Sequence, residues 1–294
     1  MKKQKIFEGV GTALVTPFRD GKIDFTALLR LINMQIDSGV SAIIISGTTG
    51  ECATLKDNER YSLFEAARDM VSGRAKLIFG TGTNDTDAAI KHTVAAEKYS
   101  PDGILVVTPY YNKGTERGVV EHYEAIIKST DLPIIVYNVP SRTGVNLSID
   151  TLKSLSKHES VVGIKEAGDS LSRYVRLSDM ADELPLYAGN DNQIYPALAL
   201  GGAGVISVVS NVLPRNVVEL CTLFSSGRLS EARLAQLKLL PLIDALFSET
   251  NPAPVKWLLH SLGVIGDEIR LPLTMPCEET KSRLTDAYKR LVEG

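Results

Sequence analysis

Eight short apolar runs, each followed by a stretch of helical periodicity, predict an α/β chain of the (β/α)8 TIM-barrel class with a C-terminal three-helix extension. Three observations carry this. The runs are apolar on both faces, as strands between a packed interior and surrounding helices must be. The eight units fit within about 220 residues, the span such a barrel needs. Finally, no GxGxxG follows the first run and no Walker motif occurs, which removes the usual marks of a doubly wound sheet.

The strand candidates begin with "GTALVTPF" (11–18), "AIIISGTTG" (42–50), "KLIFGTGTN" (76–84) and "GILVVTPYY" (103–111). They continue with "PIIVYNVP" (133–140), "VVGIKEA" (161–167), "PLYAGND" (185–191) and "GVISVVS" (204–210). Between them the period lengthens. Phe25, Leu28, Leu29, Ile32 and Ile36 make one apolar helical face behind Asp24, a residue suited to capping a helix. Further helices are expected near 57–72, 86–98, 116–129, 148–157, 170–181, 192–200 and 214–226. Residues 1–226 thus read as the catalytic barrel and 227–294 as a helical extension, with helices at 229–247, 252–262 and 278–292. No low-complexity linker separates the two, so the extension is expected to pack on the barrel.

At 294 residues, 44% of them hydrophobic, the chain can bury a barrel-sized core. A net charge of −3 without a long basic block argues against a nucleic-acid surface or a polybasic membrane anchor. The basic start "MKKQK" leads into too short an apolar stretch for a signal peptide, and no run approaches the ~18 residues of a membrane span, so the expected location is cytoplasmic. Cys52, Cys221 and Cys277 are far apart and odd in number, which fits a reducing compartment; each is expected as a small buried or half-buried side chain. His92, His122, His158 and His260 show no HxH or HExxH spacing and are expected on solvated helix faces or loops. Neither a metal nor another cofactor is expected.

The polar residues cluster where the runs end, at the face where a barrel of this class carries its chemistry. Lys165 ends the apolar "VVGIK". Alone it reads as an edge lysine keeping its head in water, a partner of Glu166, or a surface residue just past the strand. Strand alternation points Glu166 the other way and makes it a poor partner. On the barrel, Lys165 ends strand six and Tyr137 strand five, while Thr48 and Thr49 of "GTTGE" arrive from strand two. A lysine in a low-dielectric pocket sheds its proton more readily, and the neutral amine can attack a carbonyl to form an imine. A phenol with a hydroxyl relay can shuttle the protons that follow, and the "GTTG" turn can seat a carboxylate. Each piece also has a plain reading: "GTTG" as a glycine-rich turn, Tyr137 as a core aromatic, Arg142 as a surface charge. "LALGGAGVIS" (198–207) could hold a phosphate, or simply let helix and strand pack closely.

Together these segments resemble the class I, lysine-dependent pyruvate aldolases of the dihydrodipicolinate synthase and N-acetylneuraminate lyase superfamily. The resemblance runs over essentially the whole chain, through "GVGTALVTPF", "GTTGE", "GTGTN", "TPYYN", "YNVPSRTG", "GIKEA", "LGGAGVISV" and "NPAPVKW". It implies that Lys165 forms an imine with pyruvate, with Tyr137 as acid and base. Thr48 would relay protons between Tyr137 and Tyr111, the latter reaching in from a neighbouring subunit. Thr49 would hold the pyruvate carboxylate and Arg142 that of aspartate 4-semialdehyde, with Gly189 and Ile206 offering backbone to the pocket. The implied product is 4-hydroxy-tetrahydrodipicolinate, a precursor of diaminopimelate and lysine, and the implied assembly is a homotetramer built as a dimer of dimers. "PSRTG" and "TPYYN" stand where sugar-cleaving members need hydroxyl-binding residues, which favours the synthase branch. The alternatives are another 2-oxo acid aldolase or N-acetylneuraminate lyase, and a catalytically silent sensor of 2-oxo acids.

Members inhibited by lysine resemble this chain at Asn84 and Tyr110, the possible effector site. Asp57, Arg60 and Ala88 stand where such members carry histidines and an acid. Weak or absent feedback is therefore expected.

Overall fold

The structure is a computed structural model and describes residues 3–293. Its centre is a closed barrel of eight parallel strands in sequential order: β1 (Gly9–Ala13), β2 (Ala42–Ile45), β3 (Lys76–Gly80), β4 (Gly103–Val107), β5 (Ile134–Asn138), β6 (Val161–Glu166), β7 (Leu186–Ala188) and β8 (Gly204–Ser207). β8 pairs with β1 and closes the ring. The helices packed outside begin with α1 (Phe25–Asp37), α2 (Asp57–Val71), α3 (Thr86–Glu97) and α4 (Glu116–Ile127). They continue with α5 (Ile149–Leu155), α6 (Leu171–Ser178), α7 (Ile194–Ala199) and α8 (Pro214–Ser225).

Alternation along the strands sorts the apolar residues into two cores. Ile44, Ile78, Leu105, Ile135, Tyr187 and Ile206 form a cluster inside the barrel, whereas Ile43, Phe79, Val106, Val136 and Ile164 join the larger core beneath the helices. Both faces of each strand are buried, which is why the runs read as continuously apolar. The same alternation turns Tyr137 inward and Asn138 outward.

Several local expectations needed correction. The first strand begins at Gly9, and the end of its run instead forms part of a two-stranded hairpin, Phe18–Arg19 with Lys22–Ile23. Asp24 caps α1 through Ala27 N–H at 2.9 Å, but Phe25 and Leu29 are exposed while Ala27, Leu31 and Gln35 are buried. The buried face is therefore rotated from the one the apolar residues suggest. His92 and His122 are buried, not solvated: His92 meets the Tyr61 hydroxyl at 3.4 Å and His122 the Thr86 hydroxyl at 2.9 Å, and burial lowers the pKa of both. Cys277 is exposed, at the start of the last helix, whereas Cys221 is buried and Cys52 half-buried.

Within 198–207, Gly202 and Gly204 serve close packing, whereas Gly201 has open space around it and a positive φ of 80°. A Cβ on Gly202 would lie 2.7 Å from the Ala197 carbonyl oxygen, and one on Gly204 would lie 2.0 Å from that of Gly9. Three further helices follow: α9 (Leu229–Leu246), α10 (Ala253–Ser261) and α11 (Glu278–Val292). They dock on the barrel by burying Leu242, Leu246 and Leu259 in its outer apolar core, and by polar contacts, among them Gln236, whose side chain accepts from Tyr195 N–H and donates to the Asp191 carbonyl. No helix among the described residues is long and apolar enough to cross a membrane.

Candidate active site

At the C-terminal end of the strands lies a cavity of about 470 Å³, which six of the ten singled-out residues line: Thr48, Thr49, Tyr137, Arg142, Lys165 and Gly189. Another cavity, of about 410 Å³, opens at the opposite end beside Glu8, Gly9 and Ser41, where barrels of this class do not carry chemistry.

Lys165 and Tyr137 meet because β5 and β6 pair in register at those two residues. In a parallel ladder registered residues face the same way, so both side chains point into the barrel. Lys165 is 5% exposed, and its Nζ stands 4.3 Å from the centre of the Tyr137 ring. Burial, with Arg142 adding to it and Asp191 opposing, lowers its pKa from 10.5 to about 7. A substantial share of the population thus holds a neutral, nucleophilic amine at neutral pH. Burial likewise raises the Tyr137 phenol to about 12, while Arg142 and a hydrogen bond with Thr48 pull the other way. The phenol stays protonated and ready to exchange a proton with the threonine hydroxyl.

Glu166, next along the strand, points outward and is fully buried among structural partners. Its carboxylate takes hydrogen bonds from Asn138, Gly168 N–H and Arg173, the last two at 2.8 Å. That network ties β5, β6 and α6 together on the outer face of the sheet beside the lysine. The lysine's own nearby acid is Asp191, fully buried, whose Oδ2 accepts from Val208 and Val209 N–H at 2.9 and 3.1 Å. Burial raises its carboxyl pKa.

The "GTTG" turn departs sharply from β2. Ser46 and Glu51 bracket it in the left-handed region, with φ of 58° and 55°, and Gly50 N–H closes it on the Gly47 carbonyl at 3.0 Å. This backbone presents Thr48 and Thr49 side by side to the cavity. Arg142 comes from one short helical turn, Pro140–Thr143, which Gly144 ends with a positive φ. Gly189 needs to be glycine, since a Cβ would lie 2.7 Å from both Ala167 Cβ and the Glu166 carbonyl oxygen.

Four singled-out residues lie elsewhere. Ile206 is fully buried in the cluster inside the barrel and is not part of the cavity lining. Tyr111 is 87% exposed, with φ of 71°, and does not line this chain's own cavity. Asn84 and Tyr110 sit together beside Thr83, whose hydroxyl is 3.4 Å from Asn84 Oδ1 and 3.5 Å from the Tyr110 hydroxyl.

Sequence reasoning missed the segment from Phe247 to Asn251, which forms one wall of the cavity. Asn251 donates through Nδ2 to Thr49 Oγ1 at 2.9 Å, and its main-chain carbonyl accepts from Arg142 Nη2 at 2.7 Å. Also missed was the buried pair of Lys256 with Glu51, 2.5 Å apart and almost fully shielded from solvent. The motif "NPAPVKW" carried both signals, but a helical extension gave no reason to look for site residues there.

Comparison with known proteins places the chain and its fold in one family. The model of the dihydrodipicolinate synthetase family matches residues 6–291. The 4-hydroxy-tetrahydrodipicolinate synthase of Alkaliphilus oremlandii is 47% identical over 97% of this chain and 99% of its own. The crystal structure of dihydrodipicolinate synthase from Thermotoga maritima superposes with a TM-score of 0.95 at 44% identity, covering 98% of this chain and 99% of that one. That of the Acinetobacter baumannii enzyme complexed with pyruvate gives 0.94 at 38% identity, covering 97% and 99%. The chain belongs to the dihydrodipicolinate synthetase family.

Proposed function

We propose that this protein condenses pyruvate with L-aspartate 4-semialdehyde to 4-hydroxy-tetrahydrodipicolinate, a step of lysine and diaminopimelate biosynthesis. The observation that carries the reading is a buried lysine with a pKa near 7 against a tyrosine in register with it. The neutral amine of Lys165 adds to the ketone carbon of pyruvate and water leaves, giving an imine. Tyr137, exchanging protons with Thr48, serves the proton transfers of imine formation and the loss of a methyl proton that makes the enamine. The enamine carbon attacks the aldehyde, forming the new carbon–carbon bond. The aldehyde's amino group then attacks the imine carbon and expels Lys165.

Thr49 seats the pyruvate carboxylate, and Arg142 that of the semialdehyde by a planar, two-donor fork. The exposed, left-handed Tyr111 suits a side chain lent to a second copy, so the relay would be completed across a dimer and the tetramer built from two dimers. In this reading, residues 1–226 are the catalytic barrel and 227–294 an extension that buttresses it, and the enzyme works in the cytoplasm.

Incubation with pyruvate and cyanoborohydride should add one reduced pyruvate at Lys165, located by peptide mass spectrometry, and a coupled assay should show turnover of aspartate semialdehyde. An unmodified Lys165 would remove the imine. An adduct without turnover of the semialdehyde would redirect the reading to other aldehydes.

A further inference from the structure

Asn251 comes from the C-terminal extension, yet it touches both residues assigned to the substrates' carboxylates. Its side-chain amide donates to Thr49 Oγ1, so the threonine's own hydrogen must point elsewhere. A carboxylate accepts hydrogen bonds and donates none, so a seat for it needs that hydrogen turned toward the cavity. The main-chain carbonyl of Asn251 meanwhile occupies one of the five N–H donors of Arg142 and leaves the rest of the fork for substrate.

A second observation points the same way. Asn251 Oδ1 is buried without a hydrogen-bond partner among the described residues. An unpaired buried oxygen destabilises the fold, and packing alone gives no reason to keep it. The residue is held in place by its neighbours: Ala253 N–H donates to the Thr250 carbonyl, and Lys256 is anchored on Glu51.

We propose that Asn251 is a positioning residue that sets the polarity of the pyruvate seat, obliging Thr49 to act as donor, while its carbonyl aligns Arg142. This rests on the pyruvate reading above. Asn251→Asp keeps the shape and inverts the polarity, because Thr49 would then donate to the new carboxylate and turn lone pairs toward the substrate. The expected result is a rise in pyruvate KM of about tenfold or more, with kcat and the semialdehyde KM within about threefold. Asn251→Ala, which removes the donor without supplying an acceptor, should raise pyruvate KM less. In a Thr49→Val background the Asp substitution should raise pyruvate KM clearly less than it does beside an intact Thr49, since only the direct repulsion between the two carboxylates is left once the hydroxyl is gone.

Equal effects of Asp and Ala, or an Asp effect undiminished without the Thr49 hydroxyl, would overturn the proposal, as would parallel shifts in both KM values and kcat. Should the Asp variant fail to fold, Asn251→Ala compared in the two Thr49 backgrounds decides the same point. Failure of the underlying reading looks different, because the unaltered protein would then give no trapped adduct at Lys165.

Discussion

Lys165 Nζ lies 4.3 Å from the centre of the Tyr137 ring, a placement fixed by the register of two neighbouring strands. An aromatic face attracts a cation by about 2 kcal/mol when both are desolvated. Burial lowers the lysine from 10.5 to about 7, a cost of several kcal/mol at about 1.4 kcal/mol per pKa unit, which is larger than the ring's attraction.

That balance predicts a pH-dependent stability. The unfolded chain keeps its lysine proton up to the ordinary value of 10.5, while the folded protein holds it only below about 7. Between those values the unfolded state binds more protons, so the lysine's contribution to stability rises with pH across this window. The burden of the buried charge is fully present below pH 7 and gone above 10.5. Lys165→Met should therefore raise the melting temperature at pH 6–7 by an amount corresponding to a few kcal/mol, at about 1.4 kcal/mol per pKa unit, and the gain should shrink toward pH 10. Melting curves of both proteins across pH 6–10 test this; a gain independent of pH would show that packing, not charge, explains it.

Imine formation should follow the same titration. At limiting pyruvate and short exposure, the rate of adduct formation should climb through pH 7 as the amine loses its proton. Tyr137→Phe removes the phenol while keeping the ring beside the lysine, and turnover should fall about 10²- to 10⁴-fold with the fold intact. Thr48→Val, which breaks only the relay, should cost less. Steady-state kinetics together with circular dichroism separate these outcomes from unfolding.

How far the sequence reveals such a site depends on which interaction carries the signal. The apolar runs announced the eight strands because strands buried on both faces leave an unbroken hydrophobic trace, and Lys165 stood out against that trace. Glu166 was assigned correctly to the helix side from alternation alone. The helix faces were harder: on α1, Ala27 and Gln35 are buried while the larger Phe25 and Leu29 are exposed, so hydrophobic size was a poor guide. His92 and His122 looked like surface residues because their partners, Tyr61 and Thr86, lie on the preceding helix, 31 and 36 residues away. Asn251 and Lys256 lay beyond reach for the same reason, each meeting its partner across more than 200 residues.

Feedback by lysine should be weak or absent. Asn84 and Tyr110 are together, but the nearby acid, Asp57, is already paired with Lys91 at 2.6 Å. Arg60 is buried, bonded to the Ser46 hydroxyl and the Cys52 carbonyl, and adds positive charge on that side. At neither Asp57 nor Arg60 would an arriving ammonium therefore find a free carboxylate. A coupled assay with lysine up to millimolar concentrations should show little loss of rate, and inhibition at micromolar lysine would refute the expectation.

The pair of Lys256 and Glu51 tests how firmly the extension holds the turn that carries Thr48 and Thr49. Lys256 also donates to the Thr16 carbonyl at 3.0 Å and lies over the Phe18 ring, while Glu51 accepts from Arg270 N–H. Burial lowers the lysine's pKa despite its partner. Removing one member leaves the other charged and buried, so Lys256→Met alone should destabilise by about 3–5 kcal/mol, whereas Glu51→Gln with Lys256→Met should recover much of that loss. Because Glu51 ends the substrate turn, the single variant should also raise pyruvate KM more than it lowers kcat. Urea unfolding with steady-state kinetics on the two single variants and the double variant completes the cycle. Strict additivity would mean that the two residues act separately and that the turn is held by its own backbone alone.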